Sequence, residues 1–156
     1  MTLRTFVLAN LLCLCATGAF AADSSPPPRA ADKLQTARSL IAAKKWNAAI
    51  VELKAVNDTG SADWNNLMGY SLRNSGNTEY AAAEKYYDTA LRIDPKHRGA
   101  LEYSGVLYLI IGDLPKAEER LARLDKACML RCEEFTDLKN AVARYKAAGN
   151  KYVPEP

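Results

Sequence analysis

The chain has 156 residues, 49% of them hydrophobic and 25% charged, with a formal net charge of +3. So weak a charge gives no electrostatic footprint for nucleic acid or an anionic membrane surface, and past residue 21 no segment is apolar enough to span a bilayer. The length allows one domain with a continuous but thin core.

Residues 1–21 place Arg4 ahead of the apolar run Phe6 to Ala16, followed by Thr17-Gly18 and Ala19-Phe20-Ala21. This order of cation, short apolar run and small residues predicts a secretory signal cleaved after Ala21, the run being shorter than the roughly 20 residues of a spanning helix. Cys13 and Cys15 are then apolar residues of a discarded segment. Export to a bacterial periplasm, or secretion, is the implied destination. Residues 22–29 hold Pro26, Pro27 and Pro28, which forbid helix hydrogen bonding, and read as a flexible linker.

From Ala30 onward the pattern is helical. Leu34, Leu40, Ile41, Trp46, Ile50 and Leu53 recur with helical period and break near Lys44-Lys45, which predicts a helical hairpin over 30–57. The turn cluster Asn57 to Ser61 separates it from a second hairpin, 62–93, whose first helix Ser61 or Asp63 can cap, with a start at Trp64. That hairpin turns at Asn74-Ser75-Gly76-Asn77 and closes at Asp94-Pro95, where proline stops helix propagation. A third hairpin spans 98–125 and turns at Gly112-Asp113-Leu114-Pro115. A seventh helix, about 132–148, carries Phe135, Leu138, Val142 and Tyr145 on one face and ends at Gly149-Asn150, leaving 149–156 as a flexible tail.

Four columns recur at a spacing of 34: Trp46, Tyr80 and Leu114; Ala49, Ala83 and Ala117; Leu53, Tyr87 and Leu121; Val56, Ala90 and Leu124. A helix-turn-helix unit repeated at this period cannot bury its apolar face alone, so neighbours stack. The third unit, with Leu101, Ser104-Gly105, Tyr108, Gly112, Ala117 and Leu121, resembles the tetratricopeptide repeat. The second resembles it through Met68-Gly69, Leu72, Gly76, Ala83, Tyr87, Ala90 and Pro95, but Gly69 to Gly105 spans 36 residues, so two extra residues lie between Gly76 and Ala83. The first keeps Ala37, Trp46, Ala49, Leu53 and Val56 without the glycines or the closing proline. The resemblance, over 30–148, implies an all-α right-handed solenoid of three hairpins with a C-terminal capping helix.

It also implies a function of binding a protein or peptide partner, with self-association as a further possibility through a strip of Val106, Leu109 and Ile110. In such arrays the first helix of each hairpin lines a groove, which here would be Gln35, Arg38, Asn66, Tyr70, Arg73, Asn74, Glu102, Tyr103, Val106 and Ile110. Amide, guanidinium and phenol groups can bond a peptide backbone or carboxylate while tyrosine faces bury a side chain. The subclass that clamps a C-terminal carboxylate with Lys and Asn is not matched, since Leu34, Arg38, Gly99 and Tyr103 stand where most of its polar contacts would be. No serine or cysteine has a histidine partner by motif, and Glu118-Glu119 and Glu133-Glu134 read as solvated helix faces, so no catalytic residue, metal or cofactor is expected.

Cys128 and Cys132 are the second feature. In an exported protein the pair predicts a disulfide at the joint between the third hairpin and the last helix, with the helix broken around it. The alternative is a thiol or soft-metal handling protein, in which Cys128, Met129 and Cys132 bind cuprous copper or work as a redox dithiol. Zinc fits less well, because the single histidine, His97, lies a repeat away.

Overall fold

The computed structural model describes residues 32–76, 78–130 and 132–154. The segments read as signal, 1–21, and linker, 22–29, lie outside the described residues. The described residues form seven helices and no strand: α1 (Gln35–Ala42), α2 (Trp46–Val56), α3 (Ala62–Asn74), α4 (Tyr80–Ile93), α5 (Arg98–Ile110), α6 (Leu114–Ala127) and α7 (Glu133–Ala147).

Local chemistry sets the ends. Ser61 caps α3, its hydroxyl accepting the Trp64 N–H at 3.3 Å, so α3 starts at Ala62, two residues ahead of the predicted Trp64. Asp113 caps α6 by accepting the Lys116 N–H at 3.1 Å, with Pro115 in the first turn, where its missing N–H is no loss. His97 caps α5 through its ring, Nδ1 accepting the Ala100 N–H at 3.0 Å.

The turns inside the three hairpins share a backbone device. Lys44, Thr78 and Gly112, spaced by 34, all take left-handed φ, at 56°, 52° and 84°. The glycine missing from the first repeat is therefore missing as a residue type and retained as a conformation. The two extra residues of the second repeat fall in its turn. Residues 75–79 join α3 to α4 where 111–113 suffice between α5 and α6, and the caps Glu79 and Asp113 keep the spacing of 34.

The columns at that spacing point inward. Ala49, Ala83 and Ala117 are fully buried, as are Leu53, Tyr87, Ala90 and Leu124, while Trp46, Tyr80, Leu114, Val56 and Leu121 are half-buried. The tightest packing is within the α3/α4 and α5/α6 pairs, and each helix also meets the next in sequence. The odd-numbered helices form a row, α1 touching α3, α3 touching α5 and α5 touching α7. The backbones of the even-numbered helices stay apart. Long side chains bridge α4 to α6, Arg120 reaching Asp88 at 2.9 Å and Lys116 reaching Glu84 at 3.3 Å.

Two close approaches fix the helix rows. A Cβ on Gly69 would stand 2.9 Å from the Tyr87 ring and 3.1 Å from the Ala83 carbonyl, so α3 meets α4 where only hydrogen fits. Gly105 occupies the same position relative to its helix cap but faces α7, where a Cβ would stand 2.6 Å from a Leu138 methyl. Leu138 is fully buried, a contribution of about 1.5–3 kcal/mol. Ion pairs Arg98–Glu134 (3.5 Å) and Lys146–Glu118 (2.6 Å) flank α7 on α5 and α6.

Cys128 ends α6 and Cys132 precedes α7. Their sulfurs are at disulfide bonding distance, with Cα atoms 5.8 Å apart, inside the usual range. The helix breaks between them as expected, and the loop presents Met129 and Leu130, 99% and 86% exposed.

Candidate functional site

The row of odd-numbered helices carries one cavity, and part of the set predicted as a groove lines it. Tyr70, Arg73 and Asn74 of α3 and Glu102, Tyr103 and Val106 of α5 line one cavity, joined by Asp137, Ala141 and Arg144 of α7 and by Tyr152 beyond it. Its volume of about 210 Å³ is below the ~300–1,000 Å³ usual for drug-sized ligands and suits a side chain.

Aromatic and cationic groups build the floor. The Tyr70 and Tyr103 rings lie 4.4 Å apart between centroids, and Trp46 of α2 packs edge-to-face with Tyr70, centroids 5.7 Å apart. The Arg73 guanidinium lies 4.9 Å from the Tyr70 centroid and 5.6 Å from that of Tyr103, and donates to the Tyr103 carbonyl at 2.9 Å. The planar cation stacks on the rings, and its bond to the α5 backbone holds it in place. Burial pushes the Tyr103 phenol up to about 12, with the Glu102 carboxylate and the neighbouring Tyr70 adding to the rise. The phenol is therefore a neutral hydrogen-bonding group at physiological pH.

The other predicted groove residues, and Asn74 within the cavity, are less available to a partner. Gln35 is exposed on α1. Arg38 is engaged within the protein, pairing with Asp63 at 2.8 Å and Asp32 at 3.4 Å. Asn66 is 6% exposed and packs where α5 passes, its Nδ2 at 3.0 Å from the Cβ that Gly99 lacks, so little of it can meet a partner. Asn74 lines the cavity but already donates from Nδ2 to the Tyr70 carbonyl of its own helix at 2.8 Å. Ile110 is half-buried outside the cavity, and Leu109 is 1% exposed, which interrupts the proposed strip of Val106, Leu109 and Ile110.

Sequence reasoning missed Asp137, Ala141, Arg144 and Tyr152. The α7 pattern was read for its apolar stripe, and these polar and small neighbours lie beside that stripe. Tyr152 belongs to the stretch read as a flexible tail, yet it is half-buried and packs on the core around Ala141 and Tyr145. Its signal is an aromatic two residues past Asn150 of the Gly149-Asn150 reversal.

No protein-family model matches this chain, and no curated protein matches its sequence.

Other polar clusters have structural duties. Asp63 receives both Arg38 and His97, tying α1, α3 and the start of α5 together. Tyr108 donates to Glu84 at 2.9 Å and accepts from Arg120 at 3.3 Å, between α4 and α6. Among the described residues no group of three or more His, Cys, Asp or Glu side chains could hold a metal ion. No described helix is long and apolar enough to cross a membrane.

Proposed function

We propose that this protein is an exported adaptor of tetratricopeptide type, a right-handed solenoid of three hairpins capped by α7, and that it holds an extended segment of another protein along its odd-numbered helices. The observation that carries the reading is the cavity floor, where Tyr70, Tyr103 and Arg73 from two successive odd helices form one aromatic and cationic surface beside Val106. Such a surface buries an apolar or aromatic side chain while its cation and phenols bond a peptide backbone or a carboxylate. The buried alanine column at a spacing of 34 supports the repeat assignment. Residues 1–21 and the Cys128–Cys132 pair support an oxidising destination in the periplasm or outside the cell. The mechanism is scaffolding, with no catalytic residue assigned.

Photocrosslinking tests the reading. A photoreactive amino acid at Val106 is compared with one at Lys85, on the exposed face of α4, in the native envelope. A specific adduct from position 106 alone supports the groove; equal adducts from both positions, or none from 106, overturn it.

A further inference from the structure

The chain does not leave the surface when α7 ends. Gly149 and Asn150 take left-handed φ of 69° and 61°, and their N–H groups bond back to Lys146 and Tyr145 at 3.1 and 3.0 Å. Two successive left-handed residues reverse the chain. Lys151 to Pro154 then run without helix, Pro154 having no N–H to donate. Within this short run Tyr152 is half-buried against the core and forms one wall of the cavity whose other walls include Tyr70, Arg73, Tyr103, Val106 and Arg144.

We propose that Tyr152 is a resident occupant of the groove, a strap that holds in cis the place of a tyrosine from an extended partner segment. The proposal rests on the groove reading above and specifies its ligand. The chemistry around the ring is that of a tyrosine subsite. Val106 and Ala141 offer apolar contact, Arg73 and Arg144 offer guanidinium groups, and Glu102 and Asp137 are carboxylates of the kind that accept a phenol O–H. The tail itself shows a backbone form that fits, free of helix and carrying a proline. A short tether gives an effective concentration on the order of mM, so a strap of weak intrinsic affinity still stays seated against the side of the cavity. A competing segment then binds only the fraction of molecules whose strap is out, and its apparent affinity falls by that fraction.

The test uses the full chain and a defined probe, the capped pentapeptide Asn-Lys-Tyr-Val-Pro that copies residues 150–154. Wild type and Tyr152→Ala are titrated with it while the amide resonances of Val106 and Ala141 are followed by NMR. The expected result is saturable binding to Tyr152→Ala about tenfold tighter than to wild type, abolished when the peptide tyrosine is alanine. Tyr152→Phe, which keeps the ring and loses only the O–H, should bind the peptide less tightly than Tyr152→Ala does, so an effect of vacancy is separated from the loss of the hydroxyl alone. Absence of saturable shifts in Tyr152→Ala, equal affinity for the two proteins, or equal binding of the alanine peptide overturns the strap. Crosslinking from position 106 separates the two ideas. An adduct of equal yield in wild type and Tyr152→Ala keeps the groove and removes the strap, whereas loss of the adduct in both removes the groove.

Discussion

His97 and Asp63 stand 34 residues apart in the chain and meet edge to edge, Nε2 lying 2.9 Å from Oδ1 while Nδ1 accepts the Ala100 N–H at 3.0 Å. Because Nδ1 is the acceptor, Nε2 carries the proton and donates it to the carboxylate. One ring thus caps α5 and ties it to α3.

This arrangement has a pH signature. Burial pushes the Asp63 carboxyl up, but the hydrogen bond from His97, together with the charge and hydrogen bond of Arg38, outweighs burial and holds it below its ordinary value. A depressed carboxylate contributes stability that is fully present above the ordinary aspartate pKa of about 3.9 and is lost as pH falls through the lower folded value. Urea unfolding of wild type and Asp63→Asn between pH 2.5 and 7 should show wild type more stable near neutrality, with the gap closing in acid. A gap that stays constant across that range would mean that the Asp63 charge plays no part.

The approach of Gly105 to Leu138 predicts a coupled pair. Leu138 has no exposed space to move into, so Gly105→Ala should destabilise by about 1–3 kcal/mol. In a Leu138→Ala background the same change should cost much less, since the added methyl enters the cavity left by leucine. A double-mutant cycle by denaturant unfolding measures this, and additive losses would sink it.

Left-handed residues at the hairpin turns are a reserve of stability. Lys44→Gly should raise stability by up to about 1 kcal/mol, because a side chain in this region costs roughly 1–2 kcal/mol and the greater freedom of glycine in the unfolded chain takes part of that back. Thr78→Gly should gain at least as much, since a β-branched residue tolerates this region less well. Melting temperatures of the two variants check this; a fall in both would contradict it.

Replacing Cys128 and Cys132 together by alanine should lower stability by about 2 kcal/mol, the chain-entropy value for so small a loop. The fold should survive, because α7 is also held by Leu138 and by its ion pairs with α5 and α6. Circular dichroism with urea titration reads both quantities. Loss of helicity in the absence of urea would show that the joint is a requirement for folding.

Much of the helical order was legible from residues alone. Periodicity and turn residues located all seven helices, and the columns at 34 marked the inward positions. What they do not carry is the identity of the facing element. Gly105 and Gly69 look alike in sequence, yet one opens space for Leu138 of α7 and the other for Tyr87 of α4. Asn66 looks like a groove residue because its helix faces the groove, but burial depends on how closely α5 passes, which pattern alone does not state. Tyr152 was hidden for a related reason, since a tail acquires a place only once α7 has been positioned and the Gly149-Asn150 reversal aims it.

The two faces of the helix stack differ in what joins them. Along the odd-numbered helices backbones touch, and close packing resists both stretching and compression. Between α4 and α6 the joints are long, partly solvated ion pairs, Arg120 with Asp88 and Lys116 with Glu84. Salt weakens such joints and leaves packed apolar surfaces intact. The α4–α6 joints therefore answer to ionic strength, while the packed apolar surfaces do not.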